Sequence, residues 1–198
     1  MSSLFSLLQN VTRPSPNEVT LVIDDLLLMP AKVSDYDDWF DLRKSSYKHL
    51  TRWEAGWDEK TASRASFVKR VRLDQLHITA KKRLPLLIHL RKDNTLIGGV
   101  SLFDIRHGNR HSASVGYWLG EPYTGRGYAT KAVKGIMDYG FDALELVKIN
   151  AACQPGNVAS QQVLRNCGFE REGLAKSYLK INGEWRDHEL WARIMVKN

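Results

Sequence analysis

The sequence predicts an α/β fold of the mixed α+β kind, with one sheet of about seven strands flanked by about four helices. Three observations lead there. Short apolar runs bounded by turn residues recur at strand length: Leu84 to Arg91, Leu96 to Asp104 and Ser112 to Leu119. Between residues 129 and 144 the apolar positions step by three and four, the period of a helix. The chain closes with two strand-like stretches joined by Asn182-Gly183, a type I′ hairpin signal.

The elements follow in order. Val19 to Met29 is rich in β-formers and closes at Pro30. Ser34 stands where a helix cap belongs. Asp35, Asp37 and Asp38 fill the first turn, where the helix dipole favours negative charge. A second helix is expected from about Thr61 to Ala80. The strands ending at Arg91 and beginning at Leu96 flank the turn residues Lys92 to Thr95, and Arg106 to Arg110 make the next turn. Gly120 to Gly127 is too glycine-rich for a regular element. After the helix come a strand at Val147 to Cys153 and a short helix capped by Asn157 and reaching about Asn166. Phe169 to Ile181 and Glu184 to Val196 form the closing hairpin. The order β-α-α-β-β-β-α-β-α-β-β puts helices on the faces of a mixed sheet. Residues 1–18, with Pro14 and Pro16, read as a flexible N-terminal arm, and residues 19–198 as a single domain.

Composition excludes several classes of function. Cys153 and Cys167 are the two cysteines, too few for a disulfide scaffold or a four-cysteine zinc site. Both are expected as small buried hydrophobes in a reducing cytoplasm. No apolar run approaches the roughly 20 residues needed to cross a bilayer, so no membrane association is expected. The N-terminus carries neither a basic region nor a long apolar stretch, and a cytoplasmic location is expected. The 29 Lys and Arg against 22 Asp and Glu leave a net charge of +7, which suits an anionic ligand without demanding one. The basic runs are short and not interleaved with aromatics, so direct nucleic-acid readout is not expected. His107 and His111 are separated by Gly108-Asn109 and lack a third ligand, so no metal site is expected. In Asp187-His188-Glu189, strand alternation sends the histidine to the face opposite both acids, which argues against a local dyad.

The most informative segment runs strand, then Thr124-Gly125-Arg126-Gly127-Tyr128-Ala129-Thr130, then helix. A helix N-terminus leaves backbone N–H groups unpaired and carries partial positive charge. Glycines before it let an anion approach the backbone without a Cβ in the way. The unit is thus a phosphate cradle or a tight turn without a ligand. A P-loop string does not occur. A dinucleotide fingerprint needs glycine where Thr130 stands, and Glu145 precedes the next strand rather than ending it.

These residues resemble the GNAT family of N-acetyltransferases. The family's motif Gln/Arg-x-x-Gly-x-Gly/Ala is matched by Thr124-x-x-Gly127-x-Ala129, with Thr124 in place of Gln or Arg. Asn157 to Ser160, followed by Gly168-Phe169, resembles a second family segment, and Gly116 to Leu119 resembles the strand that splays to admit the pantetheine arm. The ending from Glu172 to His188 and the pair Trp53-Glu54 are similar to the bacterial ribosomal-protein-alanine/serine N-acetyltransferase branch. The resemblance covers residues 20–195. It implies a GNAT-type acyl-CoA N-acyltransferase fold with a mostly antiparallel sheet.

It also implies acetyl-CoA as cosubstrate and no metal. Tyr117, Trp118 and Leu119, the loop residues Gly125, Arg126 and Gly127, the helix start Tyr128, Ala129 and Thr130, and Asn157 and Ser160 are the expected binding residues. A backbone N–H near Trp118 or Leu119 is expected to face the thioester oxygen. Arg126 either adds charge at the phosphates or is solvated. By resemblance, Ser160 leads as proton donor to the leaving thiolate, with Tyr178 as the alternative. Ser160 is equally the third residue of the helix that Asn157 caps.

Acetyl transfer to nitrogen needs a neutral amine. At neutral pH about a tenth of α-amines are neutral, against well under a thousandth of lysines. An α-amine acceptor can therefore manage with a carboxylate base, for which Glu54 is the first candidate and Asp187 the second. Both carboxylates are otherwise structural, paired with Arg52 and Arg186. Trp53, Glu54, Trp185 and Asp187 either face the incoming amine together or belong to core and ion pairs. The expected activity is N-acetylation of a protein N-terminus, with a ribosomal protein as leading partner, by a monomer or homodimer. The alternatives are acetylation of a polyamine, amino sugar or antibiotic, and a non-catalytic acyl-CoA-binding module.

Overall fold

The computed structural model describes residues 19–54, 56 and 61–195. The arm expected over residues 1–18 lies outside the described residues. The chain forms strands β1 (Leu21–Ile23) and β2 (Leu26–Met29), helices α1 (Tyr36–Ser45), α2 (Tyr47–Leu50) and α3 (Arg64–Thr79), then β3 (Leu84–Leu90), β4 (Leu96–Arg106) and β5 (Ser112–Leu119). Helix α4 (Tyr128–Asp142), β6 (Lys148–Cys153), α5 (Val158–Asn166), β7 (Glu170–Ile181) and β8 (Glu184–Ile194) complete it. One eight-stranded sheet runs in the order β1-β2-β3-β4-β5-β6-β8-β7. Every neighbouring pair is antiparallel except β5 and β6. The fold is therefore the mixed, mostly antiparallel architecture that the sequence implied.

The differences are local and have physical causes. The stretch read as one strand, Val19 to Met29, is a hairpin, because Asp24 takes a left-handed φ of 50° between β1 and β2. Ser34 does not cap α1; it lies in a 3₁₀ turn. The carboxylate of Asp35 instead accepts the backbone N–H of Lys32 at 2.7 Å. Helix α3 begins two to three residues late, at Ser63, whose hydroxyl accepts the N–H of Ser66 at 3.3 Å. The closing hairpin turns at Asn182 (φ 50°) and Gly183 (φ 87°), both in the left-handed region that a type I′ turn requires.

The two sheet faces are buried differently. On one face α4 packs Ala132, Val133 and Ile136, all fully buried, against aliphatic residues of β2 to β6 such as Leu28, Ile88, Leu102 and Ile149. The other face carries a smaller, aromatic cluster in which Trp39 of α1 meets Phe67 of α3 at 5.0 Å between ring centroids. Trp118 of β5 joins this second cluster, and its indole lies across β4. A Cβ at Gly99 would come within 2.5 Å of Trp118 Nε1, so only glycine fits beneath the ring. No helix among the described residues is long and apolar enough to cross a membrane.

Candidate active site

The N–H and C=O groups on a strand edge must find partners. β5 and β6 satisfy one another only over Ser112–Ser114 and Lys148–Asn150. Beyond that point β5 follows β4 and β6 follows β8, and the two part. A cavity of about 450 Å³ fills the gap. Val115 to Leu119 and Ala151 to Gln154 form its walls, with Gly125 and Ala129 at the start of α4, Ser160 and Asn157 from α5, and Trp53, Glu54 and His188 also lining it. Alternation sends Tyr117 toward the α4–α5 core and Trp118 toward the α1–α3 cluster. The cavity therefore draws side chains from both faces of the sheet. A second cavity, of about 410 Å³, lies on the α1–α3 side and shares Glu54 and Trp118 with the first.

On the α4 face the backbone sets the chemistry. Gly125 and Gly127 have φ of 72° and 79°, a region that costs an L-residue about 1–2 kcal/mol. Gly127 is the N-cap of α4 and offers no side-chain acceptor to its first turn. By contrast, the Asn157 side chain caps α5 by accepting the Ser160 N–H at 3.1 Å. The leading amides of α4 thus remain available at the positive end of a 15-residue helix. A Cβ on Gly125 or Gly127 would meet nothing within 4 Å, so the space before these amides is open. Open space, uncapped amides and an adjoining cavity fit a pyrophosphate with an extended arm. Arg126 is exposed beside them.

One polar pair faces the cavity from the same side. Tyr117 Oη lies 2.8 Å from Ser160 Oγ and also donates to the Ser160 carbonyl at 3.2 Å. Burial pushes the Tyr117 phenol above its ordinary range, so the pair holds its protons at neutral pH. The buried thiols are inert by the same effect: burial raises Cys153, and raises Cys167 to about 11.

On the other face, side chains set the chemistry. Arg43 of α1 holds Glu54 in an ion pair, and its guanidinium lies 4.9 Å from the Trp118 ring centroid. Burial pushes the Glu54 carboxyl up, and Arg43 opposes that shift. The turn bearing Trp53 and Glu54 is fastened to the closing hairpin. Asn182 donates its amide to Thr51 O at 2.7 Å and accepts the Gly56 N–H at 2.7 Å. Gln154, just past β6, donates its side-chain amide to Trp53 O at 3.4 Å.

The structure separates the four residues expected to act together. Trp53 and Glu54 line the cavity. Trp185 is 63% exposed and lines neither cavity. Asp187 accepts from Lys176 Nζ at 2.7 Å and from the Ser177 N–H at 2.9 Å, and these bonds hold its carboxyl below the usual range. It is occupied because Ser177, at φ 48°, sits in an irregular stretch of β7 whose N–H needs an acceptor. The expected pairings also change: Glu54 meets Arg43 rather than Arg52, and Arg186 meets Glu184 rather than Asp187. Tyr178 is half-exposed and packs on His188, 5.5 Å between ring centroids, rather than beside Ser160. Sequence reasoning missed Arg43 and the cavity position of His188. Nothing in the local pattern distinguishes Arg43 from the exposed arginines, whereas strand alternation had already set His188 apart from its acidic neighbours. Among the described residues no group of three or more His, Cys, Asp or Glu is placed to hold a metal ion.

Comparison with known proteins agrees with this geometry. The profile of the Acetyltransferase (GNAT) domain matches residues 25–170. Over 105 residues the chain is 43% identical to the probable N-acetyltransferase YjcK of Bacillus subtilis, covering 53% of this chain and 58% of that protein. The chain therefore spans less than two thirds of that relative's length. With the ribosomal protein uS5-alanine N-acetyltransferase of Escherichia coli it shares 29% identity over 184 residues, 91% of this chain and 93% of the other. The structure described as Mycobacterium smegmatis RimJ in complex with CoA-disulfide has a TM-score of 0.82 and 32% identity, over 89% of this chain and 86% of that one. The chain belongs to the GNAT acetyltransferase family.

Proposed function

We propose that this chain transfers the acetyl group of acetyl-CoA to the N-terminal α-amine of a protein, with a ribosomal protein as the leading acceptor. The observation that carries the reading is the cavity through the β5–β6 gap, which has uncapped helix amides on one face and the Trp53-Glu54 turn on the other. The uS5-alanine relative, aligned over nearly its whole length, supports the acceptor class.

The cosubstrate supplies an activated thioester; the chain supplies positioning and proton traffic. The amides of Gly125 to Thr130 bind the pyrophosphate, and Asn157 hydrogen-bonds the pantetheine arm. Backbone N–H groups of β5 near Trp118 and Leu119, on the edge that β6 has left, polarise the carbonyl. Tyr117 and Ser160 hold a proton within reach of the departing sulfur. Glu54, with Arg43 opposing the effect of its burial, draws a cationic terminus toward the gap beside Trp53.

Mass spectrometry on two peptides tests the reading. A peptide with free N-terminal Ala or Ser should be acetylated far faster than the same peptide blocked at its N-terminus but carrying lysines. Glu54→Gln should reduce kcat/KM for the free peptide by about tenfold, ~1.4 kcal/mol, and leave CoA affinity near wild type. Equal labelling of both peptides defeats the α-amine reading. Labelling of polyamines alone moves the acceptor to small amines, and CoA binding with no turnover leaves a binding module.

A further inference from the structure

His188 is a buried histidine in the lining of the β5–β6 cavity that the proposed acetyl transfer leaves without a role. It sits in β8, level with the residue that follows β6, Gln154, because Cys153 pairs with Glu189 in the register of the two strands. Its side chain is on the face opposite Asp187 and Glu189. Those two acids are committed elsewhere, to Lys176 and Arg171. Only 3% of His188 is exposed, yet it lines the cavity at the β5–β6 gap. The charged and titratable groups near it are Tyr178 from β7, Asp187 in its own strand, and His49, Glu54, Tyr117 and Cys153 in the lining of the same cavity.

The ring has a defined tautomer. Nδ1 lies 3.1 Å from the carbonyl oxygen of Arg186. A carbonyl can only accept, so Nδ1 carries the proton and the neutral ring keeps its lone pair on Nε2. Nε2 has no hydrogen-bonding partner among the described residues. The lone pair is therefore left for the cavity. Glu54, by contrast, has Arg43 as its ion-pair partner, which opposes protonation of its carboxylate.

We propose that His188 Nε2 is the base that takes the proton from the acceptor ammonium, so that Glu54 attracts the amine and His188 activates it. This rests on the α-amine acetyltransferase reading. The protons balance in two transfers. The ammonium gives its first proton to Nε2, and the imidazolium passes it to solvent. The freed nitrogen lone pair then forms the C–N bond as the C–S bond breaks. Nitrogen sheds its second proton, and that proton replaces the one Ser160 donates to the departing sulfur. The sum is one amide, one thiol and one proton released.

Steady-state kinetics of His188→Gln and His188→Ala across pH test this on the intact protein, with the peptide of the preceding section. Glutamine can still donate to Arg186 O, and melting temperatures report whether either variant folds. At pH 7, kcat should fall roughly 10²-fold in His188→Gln while CoA affinity holds. The deficit should shrink as pH rises past the acceptor's pKa, about 8 for an α-amine, because the amine then arrives already neutral. Added imidazole should restore part of kcat to His188→Ala. A kcat within twofold of wild type, or a rise in peptide KM alone, overturns the proposal. Nitrogen NMR of the wild-type protein gives a check that needs no variant: a His188 ring protonated on Nε2 rather than Nδ1 at neutral pH also overturns it. If the wild type acetylates only polyamines, the α-amine reading fails and the same His188 comparison is made on the polyamine.

Discussion

The face of the sheet under α4 and α5 and the face under α1 and α3 meet at the same gap, yet they are assembled by different means. Under α4 and α5 the packing is aliphatic and continuous, and the groups that face the cavity are largely backbone: the turn at Gly125 and Gly127, and the free amides of α4. Tyr117, Ser160 and Asn157 add side-chain polarity there. Under α1 and α3 the packing is aromatic and smaller, and polar side chains reach the cavity: Glu54, paired with the Arg43 that lies over Trp118, and His188, held by the Arg186 carbonyl. The contrast follows from what each face would have to recognise. A pyrophosphate is met by any set of converging amides, so backbone geometry suffices. A particular amine needs charge and a proton acceptor at defined places, and side chains supply those.

Variants can break this contrast or sharpen it, and the largest effect is expected on the α5 side. Ser160→Ala should lower kcat by about 10²-fold or more with little change in CoA affinity, measured by steady-state kinetics and calorimetry. If Tyr117 and Ser160 act as one donor, Tyr117→Phe added to Ser160→Ala should cost little more, since residues that act as a unit are not additive. Near-wild-type kcat in Ser160→Ala would return the residue to its place in the first turn of α5. An intermediate effect is expected in the glycine loop. Gly127→Val puts a branched side chain into open space before the α4 amides and strains a φ of 79°. CoA affinity should fall by at least about tenfold, ~1.4 kcal/mol. Unchanged affinity by calorimetry in a folded variant would show that the loop is a turn and not a cradle.

The smallest effect belongs to Asp187, which holds the β7–β8 hairpin rather than the cavity. Its folded pKa is depressed by Lys176 and by the Ser177 N–H. A depressed carboxyl contributes stability above its unfolded pKa and loses it as pH falls through the folded value. Asp187→Asn should therefore lower the urea midpoint slightly at pH 7, and the difference should begin to shrink near pH 3.8, the ordinary value for this carboxyl, and vanish once pH has fallen below the depressed folded value. kcat should stay near wild type; a large loss at neutral pH would put Asp187 back among the catalytic candidates.

The sequence already carried the α4 side of the site. Gly125 and Gly127 before a helix-period stripe, and Asn157 before the next helix, are local patterns, because turns and caps are made by residues close in the chain. The hairpin at Asn182-Gly183 was legible for the same reason. What Asn182 does with its side chain was not: it bonds Thr51 and Gly56, more than 120 residues away.

By itself the sequence determined the order of elements from α3 onward, the glycines before α4 and the face on which His188 stands, since each depends on residue type or on helix or strand period over a few residues. The tertiary structure alone decided that Glu54 meets Arg43, that Asp187 is taken by Lys176, and that Ser160 shares its proton with Tyr117. Those partners come from separate elements, or from stretches where bulges shift the register, so no period in the chain encodes them. They are selected by how the strands diverge beyond Ser114 and Asn150 and by which helices cover the gap.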